Sequence, residues 1–98
     1  MKTFAELNEL ADGIKNGFDA TPITDQTAKE ALGFFAEVKY TCESFVGNGM
    51  VYEKSDGKFN VRLMRDLAIA GLNYSGNKQM LKARFYSVWQ QINAIVYG

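Results

Sequence analysis

The sequence contains no histidine, one cysteine and one proline. Without histidine there is no side chain that titrates near neutrality unaided, so a general base would have to be a perturbed carboxylate, a lysine or Cys42. The same absence excludes zinc sites of the usual Cys/His kind. A lone Cys42 cannot form an intrachain disulfide, which suits a reducing compartment. The single proline, Pro22, and the scarcity of low-complexity sequence argue against long disordered tracts. Long apolar runs are missing as well. In the opening MKTFAELNELADGIK acidic residues break every apolar stretch, so it reads as neither a signal peptide nor a membrane span, and the expected location is cytoplasmic. The glycine-containing turns GNG and YSGN lack the spacing and lysine of a phosphate-binding loop, and the carboxylates do not follow the calcium-loop pattern. No cofactor and no metal are expected.

What is present is the composition of an ordered globular chain: 98 residues, 47% hydrophobic and 22% charged. That length makes one domain, residues 1–98, able to bury roughly 60 to 70% of its unfolded surface. The net charge of zero hides an asymmetry. Residues 1–47 carry eight acids and four bases, a balance of −4, and residues 48–98 carry seven bases and three acids, a balance of +4. The expected molecule is an electrostatic dipole.

Thr3 and Glu6 form a capping box ahead of Phe4, Leu7, Ala11 and Ile14, which recur at helical spacing and predict a first helix. It is expected to stop at KNG, with Gly17 left-handed and Phe18 folding back as the apolar contact of a Schellman cap. Thr21 and Pro22 then make an extended connection. The second and longest helix is expected from Thr24 or Asp25 to GNG. One face carries Ala28, Leu32, Phe35, Val38, Cys42 and Phe45, and Ala31, Phe34 and Val46 widen it, which makes the helix central. Gly33, costly in a helix interior, implies a neighbouring backbone close by.

MVYEKSDGKFNVRL predicts a hairpin turning at Asp56 and Gly57 in a type I′ turn. That register opposes Lys54 to Phe59 and Tyr52 to Val61, and places Tyr52, Phe59 and Val61 on the face that lies on the helices. A third helix follows from Val61 or Arg62 to Leu72, with Asn60 as cap and Leu63, Leu67, Ala70 and Tyr74 at helical spacing. Ser75 or Asn77 caps the last helix. The fold class is therefore mainly α: a small four-helix bundle with one β-hairpin inserted between the second and third helices.

In the last helix Leu81, Phe85, Val88, Ile92 and Ile95 form a clean core seam. Lys78, Lys82, Tyr86, Trp89 and Asn93 form a second line, rotated by about a quarter to a third of a turn. This line has two readings. Trp89 completes the core while Lys82 and Tyr86 flank it in solvent, or the line presents charge and aromatic surface to a partner. The first carries about twice the weight, because helical aromatics usually pack. Lys58, Arg62 and Arg65 add a possible basic patch, although Arg62 and Arg65 beside Asp66 are most simply a salt-bridged surface. Cys42, on an apolar face, reads as a buried inert thiol. The pairs Glu6 with Glu9 and Asp25 with Glu30 read as acids favoured by helix N-termini.

Two functions are compatible with these residues. One is a non-enzymatic protein-binding module, an inhibitor or adaptor that docks on a larger protein or on a second copy of itself, using Lys78, Lys82, Tyr86, Trp89 and Asn93 with Lys58, Arg62 and Arg65. Small chains of this composition are common among phage and mobile-element proteins that block host machinery, in which case the location is the host cytoplasm. The other is nucleic-acid binding by the basic half, with Lys78, Lys82 and Arg84 on phosphates and Tyr86 or Trp89 on bases. The sequence pI of about 6.2 and the acidic first half weigh against it. It requires the bases of hairpin, third and last helix to share one face.

Overall fold

A computed structural model describes residues 1–98, in four α-helices and a two-stranded hairpin. Helix α1 spans Phe4–Asp19 and opens with the expected capping box: the Glu6 amide donates to Thr3 Oγ1 at 3.1 Å, and the Thr3 amide donates to Glu6 Oε1 at 3.0 Å. Accepting from Thr3 holds the exposed Glu6 carboxyl below its ordinary value. The helix does not stop at KNG. Gly17 is helical rather than left-handed, and Phe18 lies inside the helix, fully buried and in tilted contact with Phe85. A Cβ on Gly17 would fall 2.5 Å from Thr27 Oγ1, so this glycine permits a close approach of α2 rather than ending α1.

Helix α2 spans Asp25–Glu43, capped by Thr24, whose hydroxyl accepts from the Thr27 amide at 3.1 Å. A 3₁₀ turn at Val46–Asn48 follows, ended by Gly49 and Met50, both at positive φ. Ala28, Ala31, Phe34, Phe35, Val38 and Cys42 are buried as expected for a central helix. Leu32 is only half-buried, and Val46 lies beyond the last helical turn, exposed to solvent. Gly33 has no close neighbour, so the expected backbone approach is absent there. The close contact is at Gly71 and is with a side chain, since a Cβ there would sit 2.4 Å from the Phe35 ring.

The hairpin pairs β1, Val51–Lys54, with β2, Gly57–Asn60. Its register opposes Tyr52 to Phe59 and Lys54 to Gly57, so the loop is Ser55–Asp56 and not Asp56–Gly57. Neither loop residue has positive φ, which excludes the type I′ turn. The two registers differ by two residues of β2, an even shift that leaves every side chain on its expected face. Tyr52 packs edge-on against Phe4 and Phe45, with ring centroids 4.8 and 5.4 Å apart. Lys54 Nζ donates to the Ile95 carbonyl, which places a cation on an otherwise orphaned acceptor at the C-terminal end of the last helix. The hairpin thus closes one end of the bundle.

Helix α3 spans Arg62–Leu72, and its N-cap is Val61, without a side-chain capping bond, rather than the expected Asn60, whose Oδ1 accepts from the Arg62 amide at 2.8 Å from one residue earlier. The helix is rotated from the expected stripe. Val61, Met64, Ala68 and Gly71 are buried, Leu67 and Ala70 are half-buried, and Leu63 is exposed. Small residues at Ala68 and Gly71 let α3 lie close on α2, and that contact outweighs the apolar pull of Leu63. Helix α4 spans Lys78–Tyr97 with Asn77 as its cap, and all five residues of its predicted seam are buried. The helices run up and down, each packed on its sequence neighbour, and α4 also packs on α1. No helix is long and apolar enough to cross a membrane.

The two interior glycines predict opposite outcomes. Gly71→Ala should destabilise the fold by about 1–3 kcal/mol, because the Phe35 ring must leave its place. Gly33→Ala should stabilise it by about 0.5–1 kcal/mol, since the methyl meets open space. Denaturant melts of both variants distinguish close packing from helix propensity. In the same assay Phe85→Ala should cost about 3–5 kcal/mol.

Candidate functional site

The line Lys78, Lys82, Tyr86, Trp89 and Asn93 lies along α4 where it meets α1, and all five residues are half-buried. Its aromatic polar tips reach carboxylates of α1. The Trp89 indole N–H donates to Asp12 Oδ1 at 3.0 Å, and the Tyr86 hydroxyl donates to Asp19 Oδ1. Farther along, Asn8 Nδ2 donates to the Tyr97 hydroxyl at 3.4 Å. Three polar clips therefore join the antiparallel helices at successive levels. Lys15 lies between the upper two, its Nζ 3.7 Å from Asp19 and 5.6 Å from the Trp89 ring centroid. Asn93 turns back to donate to the Trp89 carbonyl at 3.2 Å.

The aromatic pair is rigid as well as bonded. Tyr86 stands edge-on to Phe85 and to Trp89, with centroids 5.7 and 6.2 Å apart. Hydrogen bonding to the Asp19 carboxylate pushes the Tyr86 phenol up to about 12, and the same bond, helped by Lys15 and Lys82, lowers the Asp19 carboxyl. Lys78 begins α4, where its charge opposes the helix dipole, and Asp25 Oδ1 at 2.6 Å offsets that repulsion. That contact lowers the Asp25 carboxyl. Lys78 and Lys82 line a depression of about 320 Å³ beside the Ala20–Ile23 connection.

Lys58, Arg62 and Arg65 lie elsewhere. They belong to the hairpin and α3, whereas the line on α4 faces α1, and α1 and α3 occupy opposite flanks of α4. Helical periodicity puts Arg84 on the α3 side, away from Lys82. Lys78 and Lys82 therefore do not share a face with the bases of the hairpin and α3, and the aromatics between Lys78 and Asn93 adjoin two aspartates. Lys58 Nζ is 3.8 Å from Glu53, and Arg65 Nε bonds Asp66 at 2.9 Å. Arg62 has no ion pair.

Beside Arg62 runs a groove that the sequence did not signal. One part, of about 560 Å³, is lined by Asn60, Arg62, Leu63, Asp66 and Gln91. A smaller part, of about 160 Å³, continues from Asn60 and Gln91 onto Phe59, Met64 and Ile95. Its β2 and α3 residues are close in sequence, but Gln91, Ala94 and Ile95 come from α4, more than a helix length further along the chain, so no local motif could have revealed the groove. Cys42, by contrast, is buried as expected, and desolvation pushes its thiol up to about 12. That burial disfavours the thiolate form.

The sign of the Tyr86 effect can be measured. A phenol raised on folding contributes stability that is present below its ordinary value of 10.0 and lost as the pH climbs through about 12. Ultraviolet titration should show one tyrosine ionising near that upper value, identified by its loss in Tyr86→Phe, and Asp19→Asn should bring it down. The lowered Asp19 carboxyl works at the other end of the scale: its contribution is full above the ordinary carboxylate value and fades as pH falls through the depressed one.

Comparison with models of known protein families, with curated proteins and with solved structures finds no match for this chain.

Proposed function

We propose that the chain is a small non-enzymatic protein-binding module, an inhibitor or adaptor that acts by docking on a larger protein. The observation that carries this reading is the arrangement of its charge. The acidic helices α1 and α2 form one side of the bundle, and the hairpin, α3 and α4 form the other. Of the five ion pairs, four lie within one half of the chain, and only Lys78–Asp25 joins the halves. The opposed charges are thus left facing outward rather than neutralised within the fold. Such a distribution steers and orients encounter with a protein surface of complementary pattern. Leu63, Tyr40 and Met80 add exposed apolar area of the kind that is buried on docking.

Immobilised protein exposed to lysate of the native host should retain a protein whose recovery survives nuclease treatment and declines only moderately with added salt. If nucleic acid were the partner, binding would vanish with nuclease and fall roughly a hundredfold or more between about 50 and 200 mM salt. Mass spectrometry of treated and untreated samples decides between them.

A further inference from the structure

We propose that the groove between β2, α3 and the C-terminal half of α4 receives a segment of a partner protein that inserts an aliphatic side chain and sets a carboxylate against Arg62. This rests on the protein-binding reading and deepens it by naming the surface and the chemistry of its occupant.

The floor is apolar, formed by Phe59, Met64 and Ile95, and opens into the wider part beside Asn60 and Gln91. At its edge Leu63 leaves 60% of its surface in water, although it sits in the first turn of a helix whose next residue, Met64, is buried. An aliphatic side chain in that position finds apolar neighbours only when something covers it. The polar groups of the rim are mostly donors without acceptors. The Arg62 guanidinium makes no hydrogen bond or ion pair, and the Gln91 amide is equally unengaged. Asn60 spends its Oδ1 on the Arg62 amide and keeps its Nδ2 donor. Asp66, the one carboxylate on the rim, is held by Arg65 at 2.9 Å, and the nearby Lys58 leans on Glu53.

Among the residues that line the groove, the one cation is therefore Arg62, which no neighbour neutralises, and the N-terminal end of the α3 dipole has the same sign. A planar guanidinium beside two amides matches a carboxylate together with backbone carbonyls. The apolar floor matches an aliphatic anchor one or two residues away. A phosphate backbone is the poorer fit, because it needs several aligned cations and the groove's lining presents only Arg62.

The test is selection of a random dodecapeptide display library on the immobilised full chain, followed by anisotropy titration of the enriched peptides carrying fluorescein. The expected peptides place Leu, Ile or Val beside Asp or Glu. Arg62→Glu and Leu63→Asp should each weaken them by about tenfold or more, while Lys82→Glu stays within about twofold of the parent. Both groove positions are exposed, so the melting temperatures should stay close to the parent's. Amide shifts of the unaltered protein, titrated with the same peptides, give a readout independent of any variant. Changes centred on Asn60, Arg62, Leu63 and Gln91 support the groove. Peptides without a carboxylate, indifference to both substitutions, or shifts centred on Asp12 and Tyr86 would overturn the groove and leave protein binding standing. Failure to enrich any peptide, or tighter binding of a labelled single-stranded oligonucleotide than of any peptide, would overturn both.

Discussion

The Phe35 ring resting on Gly71 fixes the placement of the second half of the molecule. No larger residue fits beneath that ring, and the contact sets both how near α3 comes to α2 and how far α3 is turned about its axis. With Gly71 inward, Ala68 and Met64 follow on the same face by helical spacing, and Leu63 is carried outward. The wall of the groove is thus a by-product of a packing decision made two turns away. Phe35 in turn abuts Phe34, which meets Phe85, which meets Phe18, so one aromatic chain passes from α2 through α4 to α1.

The α1–α4 contact is built differently. Its inner layer is apolar, but its outer edge carries two aromatic donors on aspartates, which gives Asp12 and Asp19, two of the four acids of the first helix, partners in α4. Tyr86 and Trp89 contribute both packing area and a hydrogen bond, which lets a half-exposed seam stay ordered without a continuous apolar strip at the surface. The acidic balance of α1 is partly a requirement of this seam, since Asp12 and Asp19 are acceptors before they are surface charges.

Much of the fold could be read from local signals. The capping box at Thr3, the Asn77 cap and the seam from Leu81 to Ile95 are each specified within one helix, and each is present as read. What failed were residues whose meaning depends on a distant neighbour. Gly17 reads as a helix end and Gly33 as a site of close approach, yet it is Gly17 that faces Thr27 and Gly33 that meets open space. The buried face of α3 differs from the expected stripe because alanine and glycine carry little hydrophobic signal, whereas Leu63 carries a strong one. Asp56–Gly57 is the favoured turn dipeptide, but the face of each strand was right regardless, because the shift was even. For the groove, Arg62 stands out in the sequence for its charge alone, while Gln91 and Ile95 reach Asn60 and Leu63 only when α4 packs on α3 and the hairpin.

Two helix contacts join elements that are not neighbours in sequence, α2 with α4 through Phe34 on Phe85 and α4 with α1, and the second spans nearly the whole chain. Closing that loop carries the largest entropic cost of any contact in the molecule, because the cost of closure grows with the length of chain enclosed. The first three helices and the hairpin can assemble through short loops. The Asp12–Trp89 and Asp19–Tyr86 bonds then act as a latch on an otherwise open ring, and the N-terminal helix is the segment whose release requires breaking the fewest sequence-local contacts.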